Sequence, residues 1–147
     1  MQAAARTTGK IAALDLGEVR TGVAVSDPLR TIARPVDVVA AGELHEYLRG
    51  FIEREGVEEI VVGVPKTLGG EVGFQARRVL ATLGDLKQAF AGVEFIEWDE
   101  RFTTRMAVAG RGGGRRNKGR ASGAGGRVDH LAAARMLQEY LETRGTR

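Results

Sequence analysis

The chain has 147 residues, 43% hydrophobic and 28% charged, a balance that supports one globular domain with its own core. It contains no cysteine, which excludes disulfides, thiolate zinc sites and cysteine nucleophiles. No apolar run approaches the ~20 residues that span a bilayer, and residues 1–9 lack a signal-peptide core, so a cytoplasmic location and no membrane partner are expected.

Residues 1–9 read as a disordered tail. Lys10–Leu16 reads as a first strand, with Ile11, Ala13 and Asp15 on one face and Ala12, Leu14 and Leu16 on the other. A tight turn over residues 17–20 leads to a second strand, residues 21–26, in an antiparallel hairpin. Asp27-Pro28 stops that strand, and residues 35–40 form a third. The period then changes. Leu44, Tyr47, Leu48, Phe51 and Ile52 have helical spacing within residues 43–54. Residues 59–65 are apolar on both faces, as in a central parallel strand. A second helix over residues 73–90 carries Val79, Leu80, Leu83 and Leu86 on one stripe. A fifth strand follows at residues 93–98, a final helix at residues 128–141 and a short tail at residues 143–147. This order predicts an α/β fold in one domain, residues 10–142. Its five-stranded mixed sheet has the first three strands antiparallel and the rest parallel, with flanking helices.

Three acids sit where these patterns call for apolar or neutral residues. Asp15 lies late in the first strand, Glu100 follows the fifth, and Asp129 opens the final helix on the face of Ala132, Ala133 and Met136. A carboxylate on a buried face is costly unless something pairs with it, and a divalent cation does so well. The three acids at the ends of core elements therefore point to one metal site. Asp129 also suits a plain helix N-cap. Between residues 101 and 127 lie Arg101, Arg105, Arg111, Arg115, Arg116, Lys118, Arg120 and Arg127, with no acid among them. These eight cations exceed the chain's net charge of +3, so the remainder carries −5. Eight of the 17 residues from 110 to 126 are glycine, too much backbone entropy for a helix, and the segment reads as a mobile loop. Positive charge beside an acidic site suggests a polyanionic substrate, with nucleic acid the leading partner.

Four ordered blocks carry a resemblance to a known family. The stretch Asp15-Leu16-Gly17-Glu18-Val19-Arg20-Thr21-Gly22-Val23-Ala24-Val25-Ser26-Asp27-Pro28 resembles the opening signature of the bacterial YqgF/RuvX family, whose members are named for Holliday-junction resolution and for nuclease processing of pre-16S ribosomal RNA. Val62-Gly63-Val64-Pro65 with Gly70, Gly73, Gln75, Ala76 and Val79 is similar to the second block. Trp98-Asp99-Glu100-Arg101-Phe102-Thr103-Thr104 is similar to the third, and Val128-Asp129-His130-Leu131-Ala132-Ala133 to the fourth. The resemblance implies an RNase H-like fold and a metal-dependent nuclease in which Asp15, Glu100 and Asp129 are catalytic and hold Mg²⁺ or Mn²⁺, as a pair of ions. It implies structured RNA as substrate, in pre-16S ribosomal RNA 5′-end processing within ribosome biogenesis, or else branched DNA cut by a junction resolvase. A non-catalytic RNA- or nucleotide-binding module is the remaining alternative, and monomer and homodimer both stay open. Arg20 and Arg101 suit phosphate contacts or structural ion pairs, and Arg111, Arg115, Arg116, Lys118 and Arg120 extend the nucleic-acid surface. Glu97 and Asp99 fall on the strand face opposite Glu100 and are not expected in the site. His130 stands where the family commonly has glutamine.

Overall fold

The computed structural model describes residues 9–65, 73–100 and 130–145. In chain order these form β1 (Lys10–Leu16), β2 (Arg20–Ser26), β3 (Ala33–Ala40), a 3-10 turn (Ala41–Glu43), α1 (Leu44–Glu55), β4 (Val57–Val64), α2 (Phe74–Ala89), β5 (Glu94–Asp99) and α3 (His130–Gly145). The five strands make one sheet in the order β3-β2-β1-β4-β5. β1, β2 and β3 pair antiparallel, whereas β1 with β4 and β4 with β5 pair parallel. The expected mixed sheet is therefore the observed one.

Strand alternation divides the core into two layers. Ala12, Leu14 and Leu16 face the same way as Val23, Val25, Ile60 and Val62, and they pack against Leu44, Leu48 and Phe51 of α1 and Ala76, Val79, Leu83 and Leu86 of α2. Ile11, Ala13, Ala24 and Val61 face the other way, onto Ala133, Met136, Leu137 and Leu141 of α3. Burying each Leu, Ile, Val or Phe side chain is worth roughly 1.5–3 kcal/mol. Exposed ion pairs contribute about 0–1 kcal/mol. Helix-on-sheet burial thus dominates the stability.

Local chemistry sets the boundaries. Gly56 ends α1 in the left-handed region, φ 68°, and its N–H donates to Ile52 O, a geometry glycine adopts without a Cβ penalty. β3 starts at Ala33, two residues before the strand expected from sequence, because a register shift absorbs Pro35 on an edge strand. The final helix runs on to Gly145, four residues past its expected end.

The end of the sheet where β1 and β4 begin is braced by polar contacts. Arg30, at φ 60°, donates from Nε to Gly9 O at 2.8 Å and pairs with Glu58 at 3.0 Å and Glu59 at 3.4 Å. Arg144 Nη1 and Tyr140 Oη of α3 both donate to Glu59 at 3.3 Å. Gln138 of α3 accepts from Ala33 N at 2.8 Å and donates to Thr31 O at 3.1 Å. Asp27 accepts from the N–H groups of Ile32 and Thr31, which hold its carboxyl at about 2, well below the usual range.

Candidate active site

The opposite end of the sheet carries the acids. At β1 the sheet switches from antiparallel to parallel neighbours, and crevices in such sheets open outside the carboxyl ends of strands at a switch point. An open pocket of about 400 Å³ lies there, and both Asp15 and Glu100 line it. Asp15 takes the face of Ile11 and Ala13, as its alternation predicts, and sits opposite Gly22 on β2. Glu100 is the first residue past β5. On that strand Ile96 and Trp98 join the α3 layer, so the next residue in the alternation, Glu100, lies on the same side as Asp15.

A glycine makes room for this carboxylate. Gly63 of β4 is buried between the two strands, paired with Trp98. A Cβ at that position would lie 2.5 Å from Glu100 Oε2 and 2.8 Å from Met136 Sδ. Any larger residue would move the carboxylate or the helix above it.

The electrostatics are strained in one direction. Burial raises the Glu100 carboxyl from 4.5 to about 7, and the negative charges of Asp15 and then Asp99 push the same way. Asp99 therefore acts on the site although alternation places it on the other face. β5 ends at Asp99, and at a strand end the next residue's carboxylate comes within electrostatic reach of its own. Glu97 is exposed.

Cations meet these acids at the pocket wall. Arg20, the first residue of β2, lines the pocket and is exposed. Sequence patterns did not single out Arg78, which enters from α2. It donates from Nη1 to Gly17 O at 3.3 Å, and from Nη2 to Leu16 O at 3.4 Å and Gln75 Oε1 at 2.9 Å. The one signal for it was its position within the second family block, between Ala76 and Val79. His130, at the start of α3, is half-buried, and its buried Nδ1 has no hydrogen-bond partner among the described residues. Asp129, Arg101, Arg111, Arg115, Arg116, Lys118 and Arg120 lie outside the described residues, as does the glycine-rich segment 110–126.

The donor chemistry suits a hard divalent cation. Two carboxylates share a pocket, repel each other, and would both be relieved by positive charge. Among the described residues no group of three His, Cys, Asp or Glu side chains comes together, so the described part of the site supplies this pair. No helix among those residues is long and apolar enough to cross a membrane.

The chain is similar to known proteins. A family model described as RuvX, Holliday junction resolvase, matches residues 9–143. A Rubrobacter xylanophilus protein named "Putative pre-16S rRNA nuclease" is 58% identical over 93% of this chain and 95% of its own length. A Parabacteroides distasonis protein of the same name is 38% identical over 92% and 96%. Among solved structures, RuvC of T. thermophilus in complex with Holliday junction substrate superposes with a TM-score of 0.56 at 20% identity, over 94% of this chain and 96% of that one, a likeness of fold. The sheet order, helix layers and this superposition make the fold RNase H-like, and with the model match spanning nearly all of the described residues, the chain belongs to the RuvX (YqgF) family.

Proposed function

We propose that this protein is a divalent-metal-dependent nuclease that hydrolyses phosphodiester bonds in structured RNA, acting at the 5′ end of pre-16S ribosomal RNA. The observation that carries the reading is the pairing of Asp15 and Glu100 in one pocket, with Glu100 pushed to about 7. A pair of carboxylates that cannot comfortably ionise together is a costly arrangement for stability alone, and a bound cation reverses the sign of that cost. The names of the relatives support the substrate.

Asp15 and Glu100 would hold Mg²⁺ or Mn²⁺ together with Asp129, one residue before α3. When bound, such ions make a water nucleophilic at neutral pH and stabilise the leaving oxygen. Asp15 orients its carboxylate from a rigid inner strand. Gly63 preserves the space into which Glu100 projects. Arg20 presents a cation at the pocket rim to the phosphate backbone, and Arg101, Arg111, Arg115, Arg116, Lys118 and Arg120 add sequence-independent attraction.

The family description favours a second reading, the same chemistry on branched DNA. One experiment separates the two. Purified protein is incubated with Mg²⁺ or Mn²⁺ and a precursor ribosomal RNA fragment, a single-stranded RNA or a four-way DNA junction, with Asp15→Asn in parallel. Preferred cleavage of the precursor, abolished by Asp15→Asn and by chelation, is expected. Cleavage that survives Asp15→Asn would remove the carboxylates from the chemistry, and paired symmetric cuts in the junction would establish the second reading.

A further inference from the structure

We propose that Arg78 is a phosphate-binding residue that grips the polynucleotide backbone from the α2 side of the pocket, across from the carboxylates. The proposal rests on the nuclease reading for the identity of the ligand.

The geometry begins with the two faces of the sheet. Asp15 lies on the α3 face, whereas α2 packs on the other, yet Asp15, Glu100 and Arg78 all line one pocket at the sheet's end. Acids and cation therefore reach the same space from opposite layers. A ligand that satisfies both sides carries negative charge along its length, as a phosphodiester chain does, one phosphate at the acidic site and a neighbour at the guanidinium.

The bonding of Arg78 leaves its charge available. Its three acceptors among the described residues are all neutral: the carbonyls of Gly17 and Leu16 and the amide oxygen of Gln75. Among the described residues it forms no salt bridge, unlike Arg30 and Arg144, which pair with Glu58 or Glu59. Those bonds use three of the guanidinium's five N–H donors. Nε is buried and has no acceptor among the described residues, and one Nη1 hydrogen remains. Neutral tethers fix the plane of the fork without neutralising it, and a fork held in place loses little entropy when it binds phosphate.

The tethers also explain why the residue would be arginine. Lysine offers a point charge but cannot bridge two successive carbonyls and a side-chain amide while still presenting a donor. The carbonyls it holds belong to the hairpin turn directly after Asp15, where Gly17 N donates to Arg20 O at 2.8 Å. Arg20 leaves the far end of the same turn, so the two cations are joined through one short piece of backbone.

The test measures binding of a fluorescein-labelled RNA hairpin across a salt series, with Ca²⁺ replacing Mg²⁺ so that no cleavage is needed for the readout. Arg78→Gln should fold with an unchanged circular-dichroism spectrum and bind the hairpin about tenfold more weakly. The slope of log K against log salt should shrink by about 0.7–0.9, the loss of one phosphate contact. Arg78→Lys should retain the wild-type slope and recover part of the affinity, and it remains the informative variant if Arg78→Gln fails to fold. A slope unchanged in Arg78→Gln, or wild-type protein with no salt-dependent RNA binding, would overturn the proposal. So would a loss of Ca²⁺ affinity as large as the loss of RNA affinity, because Arg78 would then act through Asp15. Failure of Asp15-dependent cleavage would count against the nuclease reading alone, since the salt slope is read without turnover.

Discussion

Replacing Glu100 by glutamine should stabilise the metal-free protein while removing its activity. Glutamine keeps the shape that fits beside Gly63 but cannot ionise. In the folded protein the Glu100 carboxyl sits near 7 rather than 4.5, so between those values the folded state binds more protons than the unfolded state. Stability then falls as pH rises through that window and is flat above it. The contribution is fully present below pH 4.5 and lost as pH passes about 7. At about 1.4 kcal/mol per pH unit the full difference is about 3–4 kcal/mol. Partial solvent access to the pocket reduces this to about 1–3 kcal/mol, or several degrees in Tm for a chain of this size. Melting curves with EDTA at pH 4.5 and pH 8 measure it. Wild type and Glu100→Gln should coincide at the lower pH, and the variant should melt higher at pH 8. With Mg²⁺ the order should reverse, since a ligand at 100 times its Kd stabilises wild type by about 2.7 kcal/mol and the variant by less. Equal stability at both pH values without metal would refute the claim that Asp15 and burial strain this carboxyl.

Gly63→Ala should abolish cleavage while costing only about 1–3 kcal/mol, because the atoms its Cβ meets belong to the side chains of Glu100 and Met136 and not to backbone. Activity and denaturant midpoints measured on the same preparation would check this, and a fully active variant would show that Glu100 can be displaced without consequence. Changing Arg115, Arg116, Lys118 and Arg120 together to alanine should weaken RNA binding and flatten its salt dependence, with Mg²⁺ affinity measured by calorimetry nearly unchanged. An unaltered salt slope would take that segment off the binding surface.

Asp15 was legible in the sequence because it interrupts an apolar run, and the strand places it on the side of Ile11 and Ala13. The mixed pairing was legible for a related reason: strand-like and helix-like segments are distinct in period, and two short connections force antiparallel neighbours. Arg78 was not legible from pattern. On a helix it reads as an ordinary surface cation, and its reach to the Leu16 and Gly17 carbonyls depends on how α2 docks, which periodicity does not set. Gly63 was hidden inside an apolar run, where nothing local distinguishes a required gap from a small core residue. Asp99 was left out of the site by alternation, yet its charge acts on Glu100 at the strand end. The longer α3 reflects residues past Leu141 that extend the helix without an apolar stripe, with Thr143 Oγ1 donating to Glu139 O at 2.9 Å.

The switch from antiparallel to parallel pairing at β1 also orders events in time. The β1–β2–β3 meander closes through short loops and carries Asp15. Glu100 reaches the site only after β4 and β5 have added by crossovers, pairings of greater sequence separation than the hairpins and slower to form. A partly folded or newly made chain therefore has one acid without the other. On the nuclease reading proposed above, cleavage competence becomes a report that the whole sheet is complete.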